Sequence, residues 1–156
     1  MKISGVNISG GIRMHQQAAP APSGPSKFVT GAVRTNNFAG RAYICNTDGT
    51  GEIILDKPAG VTEQFGQSVA ISDTQVVVTS SSTNSYQGAA YVYNTDGTGE
   101  VAITASDAAA NSRFGWDVAM TDTKIVVGAS QARMGATSWV GAAYMYNTDG
   151  TGELKI

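Results

Sequence analysis

Residues Gly88–Ile103 read GAAYVYNTDGTGEVAI, and close variants stand at Gly40–Leu55, GRAYICNTDGTGEIIL, and at Gly141–Ile156, GAAYMYNTDGTGELKI. A chain that spells one phrase three times is built from repeats, and the repeat period decides the fold before any single element is assigned. Phe65-Gly66 returns as Phe114-Gly115, 49 residues on, while Asn46, Asn94 and Asn147, which open the shared NTDGTGE, lie 48 and 53 residues apart. Spacings of this size suit a four-stranded propeller blade.

The second copy supplies the template: FGQSVAIS from Phe65, QVVVTSS from Gln75, GAAYVYN from Gly88 and EVAIT from Glu100, read as strands A to D. Strand A alternates Phe65, Gln67, Val69 and Ile71 with Gly66, Ser68 and Ala70, the period of two that gives a strand one small-residue face. Strand B, VVV here and IVV at Ile125, is apolar on both sides and reads as sandwiched between layers. In NTDGTGE, Asp-Gly tolerates the positive φ of a hairpin turn and the second Gly suits a bulge, so Asp48-Gly49, Asp96-Gly97 and Asp149-Gly150 are expected at hairpin tips. The B–C connections differ in every copy, AVRTNNFA, SSSTNSYQ and ASQARMGATSWV. Variable loops on a repeated scaffold are where contact with other molecules is expected.

The first copy aligns from FVTGA at Phe28 with IVVGA at Ile125, and so has strands B, C and D without an FG strand A. In its place stands HQQAAPAPSGPS, an extended Pro, Ala and Ser linker, preceded by KISGVNISGG. The expected organisation is an N-terminal arm and linker over residues 1–27 and a repeat domain over 28–156, with repeats at about 28–64, 65–113 and 114–156. The fold class is all-β: antiparallel four-stranded blades, about three per chain.

Composition narrows function further. Of 156 residues 14% are charged, the net charge is -2, and Lys and Arg are scattered, which offers no footprint for a nucleic-acid backbone. Ser, Gly and Asn interrupt any signal-like run near Met1, so neither export nor membrane insertion is expected. One Cys and one His, Cys45 and His15, cannot build a structural zinc tetrahedron, and His15 lies in the linker, remote from any nucleophile. Cys45 takes the strand position of Tyr93 and Tyr146, where a half-buried residue is expected. Asp48, Asp96, Glu52 and Glu100 are explained as solvated turn residues. Tyr91 with Tyr93, and Tyr144 with Tyr146, share a face at period two and are expected to pack between sheets. No enzyme, cofactor or metal is expected.

FGWDVAMTDTKIVVGAS followed by GAAYMYN resembles the FG-GAP repeats of integrin α-subunit propellers and of many bacterial and phage proteins. Phe114-Gly115 stands for FG, Gly128-Ala129 for GA, and Gly141-Ala142 opens the aromatic strand. The second copy matches at Phe65-Gly66 and Gly88-Ala89 but carries Thr79-Ser80 in place of GA; the first matches at Gly31-Ala32 and Gly40. The resemblance implies a propeller-like body, and too few blades in one chain to close it, so other copies of the chain are expected as partners. MKISGVNISGGIRM is in turn similar to the short openings of small structural proteins of tailed bacteriophages. The resemblances imply a non-enzymatic virion component, a capsid decoration, head fibre or tail-associated protein. Ile3, Val6, Ile8, Ile12 and Met14 of the arm would anchor it to other virion proteins after assembly in the host cytoplasm. The alternative is an adhesion module that reads a receptor or cell-surface glycan with its B–C loops, through Phe38, Tyr86, Arg133, Met134 and Trp139.

Blades of that family often carry a calcium loop between strands A and B. Here those turns read SDTQ from Ser72 and TDTK from Thr121, one carboxylate each, where Ca²⁺ takes roughly six to eight oxygens. The thermal midpoint should therefore be the same with calcium and with EDTA in differential scanning fluorimetry; a shift of several degrees would overturn this reading of the turns.

Overall fold

The computed structural model describes residues 26–33, 39–61, 64–134 and 138–156. The arm, with Ile3, Val6, Ile8, Ile12 and Met14, and the loop residue Phe38 lie outside them. Within them the chain forms three main antiparallel sheets. The first holds β1 (Lys27–Ala32), β2 (Arg41–Asn46) and β3 (Ile53–Asp56). The second holds β4 (Val69–Ile71), β5 (Gln75–Ser80), β6 (Ala89–Asn94) and β7 (Val101–Ile103), with a four-residue helical turn, α1 (Thr83–Tyr86), between β5 and β6. The third holds β8 (Phe114–Met120), β9 (Lys124–Ala129), β12 (Ala142–Asn147) and β13 (Leu154–Lys155). A two-rung hairpin of β10 (Arg133–Met134) and β11 (Ser138–Trp139) rises from its long B–C loop.

Each strand pairs with the next in its sheet, and the register is the same from repeat to repeat. Phe28 faces Cys45, Val76 faces Tyr93 and Ile125 faces Tyr146. Cys45 thus occupies the tyrosine position and is half-buried. The first sheet lacks a strand A among the described residues, so β1 is its first strand.

The sheets stack face to face, and the triple valine of β5 shows how. Val76 and Val78 point with Tyr91 and Tyr93 toward the first sheet, into a core with Ala42, Ile44, Leu55 and Phe65. Val77 points the other way with Ala90, Val92 and Ile103, into a second core with Phe114, Ile125, Val127, Tyr144 and Tyr146. All three valines are fully buried, as a strand between two layers requires. Each sheet thus has a front, toward the preceding sheet, and a back, toward the following one.

Phe-Gly is the joint between sheets. The Phe65 amide donates to the Ala39 carbonyl at 3.1 Å and the Phe114 amide to the Gln87 carbonyl at 3.0 Å, forming parallel bridges to Gly40 and Gly88 of the preceding sheet. Both phenyl rings are fully buried, each worth roughly 1.5–3 kcal/mol of transfer free energy. They meet Tyr91 and Tyr144 edge-on, with centroids 5.8 and 5.5 Å apart. Gly40 and Gly88 are obligatory for two reasons: φ is +81° and +85°, and a Cβ on either would collide with the carbonyl oxygen of Phe65 or Phe114.

Strand A keeps Phe65, Val69 and Ile71 on the front and Ala70 on the back, as its alternation predicts, and adds a bulge near its start. The amides of Gly66 and Gln67 both donate to the Thr79 carbonyl, each at 3.0 Å, and the equivalent register shift lies between Phe114 and Asp117. Across this bulge Phe114 stays opposite Ala129 in its own ladder while its amide bonds the previous sheet. At the variant GA position, the Thr79 hydroxyl donates to the Ser68 carbonyl at 3.1 Å and receives the Ser68 amide at 3.0 Å.

Gly88 and Gly141 share the same role in sequence and similar φ, +85° and +76°, but the nearest atom to a Cβ on Gly141 would lie at 3.5 Å. Gly88→Ala should therefore cost about 2 kcal/mol more than Gly141→Ala in urea unfolding, the difference isolating the collision from the shared backbone strain. Equal costs would show that the close approach at Phe114 carries no weight.

Candidate functional site

Antiparallel alternation sends the B–C loops and the D–A connections to one end of the sheets, and the A–B turns and C–D hairpins to the other. At the first end the chain gathers an aromatic and cationic cluster. Asn84, Ser85 and Tyr86 adopt φ of 52°, 57° and 61°, and Asn111 and Arg113 adopt 66° and 56°. Left-handed backbone is unfavourable for such side chains, by roughly 1–3 kcal/mol each, and persists only where the surroundings hold it. Here the holding bonds are visible: the Asn111 amide donates to the Ser85 carbonyl at 3.1 Å and the Arg113 amide to the Tyr86 carbonyl at 2.8 Å.

The result places the Arg113 guanidinium 4.9 Å from the Tyr86 ring centroid and 5.4 Å from that of Trp116. Its Nε donates to the Gln131 side chain at 3.1 Å, which ties the D–A connection to the base of the third B–C loop. Tyr86 and Trp116 remain 38% and 46% exposed, so their rings are both fixed and available. A cation between two aromatic faces contributes about 0.5–1 kcal/mol at such an exposed site. Aromatic and Arg side chains held rigid at a surface are what protein interfaces select.

Of the residues expected to make contacts, Tyr86 lies in this cluster. Arg133, Met134 and Trp139 lie on the β10–β11 hairpin, where Arg133 pairs with Trp139 and Met134 with Ser138, and Arg133 is exposed. Phe38 falls outside the described residues. The sequence reading passed over Arg113, Trp116 and Gln131. A signal for two of them was present, since Arg113 and Trp116 flank the Phe-Gly of the third repeat.

The hairpin end is polar and regular. In each NTDGTGE the Asp carboxylate receives the backbone amide and the hydroxyl of the Thr two residues on: Asp48 from Thr50 at 2.9 and 2.7 Å, Asp96 from Thr98 at 3.0 and 2.6 Å, and Asp149 from Thr151 at 2.9 and 2.6 Å. The Thr hydroxyl and then the Thr amide hold all three carboxyls below their ordinary value. The tip glycines Gly49, Gly97 and Gly150 have φ of 82°, 84° and 83°. The glutamates that close the phrase do more than turn the chain. Glu100 accepts from the Tyr93 hydroxyl at 3.2 Å. Glu153 accepts from Tyr146 at 3.0 Å and from the Ser106 amide and hydroxyl at 3.0 and 2.6 Å. Burial first, and the neighbouring carboxylate second, pushes the Tyr93 and Tyr146 phenols up. The two tyrosine bonds brace each hairpin against its own strand C, and the Ser106 bonds tie the third hairpin to the connection leaving the second sheet.

Among the described residues no group of three or more His, Cys, Asp or Glu is placed to hold a metal ion, and no helix is long and apolar enough to cross a membrane. Stacked antiparallel sheets locked through Phe-Gly, with an exposed loop cluster and polar tips, define an all-β repeat protein. The chain belongs to the FG-GAP repeat family: the family model matches residues 54–93 and 98–146, each span containing a Phe-Gly and the aromatic strand that follows it. Repeats of this family are generally non-catalytic. No curated protein matches the chain.

A carboxyl whose folded pKa is depressed contributes stability above its unfolded value and loses it as pH falls through the folded one. Stability should therefore decline as pH drops below the ordinary carboxylate value of 3.8. The combined variant Asp48→Asn, Asp96→Asn and Asp149→Asn should show a shallower decline in thermal unfolding followed against pH. An unchanged acid limb would show that the tip carboxylates carry none of it.

Proposed function

We propose that this protein is a non-enzymatic structural and interaction protein, a component of a bacteriophage virion that is anchored by its N-terminal arm and assembles with copies of itself through its sheets. The observation that carries this reading is an unfinished stack. Ile103 on the back of the second sheet is 3% exposed, whereas Ile156, its counterpart on the third, is 69% exposed, and Val77 at 0% contrasts with Val126 at 37%. A sheet with the residues of an interior layer left exposed among the described residues is a surface suited to association. The virion assignment draws on the opening residues 1–14 and their likeness to phage structural proteins. On this reading the protein is a capsid decoration, head fibre or tail-associated protein.

A second reading is favoured by the Tyr86–Arg113–Trp116 cluster: a receptor or glycan reader that uses the loop end. Rigid aromatic faces beside a guanidinium suit a sugar ring carrying an acidic group.

Quantitative mass spectrometry of purified particles of the encoding phage tests the first reading. The chain should be present in a copy number commensurate with capsid or tail symmetry, and deletion of residues 1–26 should remove it. Absence of the full chain from particles, or incorporation unaffected by the deletion, would contradict it. Micromolar glycan-array binding lost in Trp116→Ala or Trp139→Ala, by a chain absent from capsid and neck, would establish the second reading instead.

A further inference from the structure

The two internal sheet-to-sheet joints are copies of one another, and their components recur on the outer faces of the first and third sheets without counterparts among the described residues. Three components matter. The first is the pair of apolar faces, back against front. The second is the hairpin tip, which lies on the outer strand of the preceding sheet: a Cβ on Gly97 would stand 2.8 Å from the Ile53 side chain, and one on Gly150 would stand 3.1 Å from Val101 and 3.3 Å from Ile103. The third is a hydrogen bond from the first residue of strand B to the following tip. Lys27 Nζ donates to the Thr95 carbonyl at 2.7 Å, and the Gln75 side chain to the Thr148 carbonyl at 3.4 Å.

At the tail of the chain the back of the third sheet presents Val126, Leu154 and Ile156, which are 37%, 55% and 69% exposed. Lys124, the counterpart of Lys27 and Gln75, turns to its own Asn147 at 2.7 Å. At the head, the front of the first sheet presents Phe28 and Ile54 at 43% and 47%, where the counterpart of Phe28 in either other sheet, Val76 or Ile125, is fully buried. The head tip also differs from the other two: a Cβ on Gly49 would meet nothing within 4 Å.

We infer that the tail face of one chain takes the head face of a second copy, as a third instance of the joint already made twice inside the chain. The inference rests on the structural reading above and specifies its self-contact. The Gly49 tip of one copy lies over Leu154 and Ile156 of the other, Phe28 and Ile54 cover Val126 and its neighbours, and Lys124 turns from Asn147 to the Thr47 carbonyl across the joint. The contact is heterologous, head to tail, so it closes only as a ring. Two chains of three sheets give six, within the roughly four to eight at which propellers close. The new joint lacks a Phe-Gly lock, because the described head sheet begins at strand B; it is therefore reversible where the internal joints are not.

Complementation between variants tests the direction of the contact. Native mass spectrometry and sedimentation at low micromolar concentration should find wild type at twice 16.1 kDa. Ile54→Lys, which blocks the head, and Ile156→Lys, which blocks the tail, should each be folded monomers, since both side chains are already exposed. An equimolar mixture of the two should recover a one-to-one dimer held at one joint, because the intact tail of the first meets the intact head of the second while the doubly substituted joint stays open. A wild-type chain that remains at 16.1 kDa overturns the inference. So does a dimer that only one of the two variants abolishes, which marks a symmetric face-to-face contact, or a mixture that stays monomeric. A chain that enters particles yet stays monomeric overturns this inference and leaves the virion reading standing; a dimer absent from particles does the reverse.

Discussion

Everything in this molecule depends on how closely the backbone of one sheet can approach the Phe-Gly of the next. Sheets packed only through side chains sit about 10 Å apart and slide on one another. Here Gly40 and Gly88 let the preceding backbone touch the phenylalanine's own peptide, and a backbone hydrogen bond replaces part of the side-chain layer. That bond orients the next sheet, and the buried phenyl ring fills the space between the bulge and the tyrosines behind it. The joint is thus specific in register as well as favourable in burial.

Repetition of one joint explains the division of labour along the chain. Residues that serve the joint, the Phe-Gly pair, the glycine before strand C and the aromatic pair on it, recur with little change. Residues in the B–C loops are released from it and vary, and the second loop uses that freedom to hold Tyr86 in a left-handed conformation against Arg113. The hairpin tips stand between these extremes. Their turn chemistry is local, but Gly97 and Gly150 also lie on the neighbouring sheet, which is a reason for the phrase to be kept so nearly intact.

Much of this was legible in the sequence because it is local or periodic. The triple valine of β5 announced a strand buried on both faces, the alternating tyrosines announced a packing face, and Asp-Gly announced the turns. That no Phe-Gly precedes Phe28 was readable directly, and the described part of the first sheet begins at strand B. What was not legible depends on contacts between repeats. The bulge at Gly66 follows from the demand of the preceding sheet on Phe65, and no pattern within FGQSVAIS expresses it. The Arg113 cluster joins a loop, a connection and a second loop from three sequence regions, with strained backbone that propensity argues against. Glu52 and Glu100 are exposed, as turn residues should be, but the reach of Glu153 to Ser106 depends on the stacking of sheets and has no local signal.

The most direct test of the central claim is amide hydrogen exchange at Phe65 and Phe114, whose N–H groups make the bonds between sheets. If the Phe-Gly joint holds the stack as one cooperative unit, both amides exchange only through global unfolding, with protection matching that of Val77 and Val127 in the strands beside them. Exchange of Phe65 and Phe114 as fast as that of the exposed hairpin tips, with the strand amides still protected, would show that the sheets fold independently and that the joint is incidental.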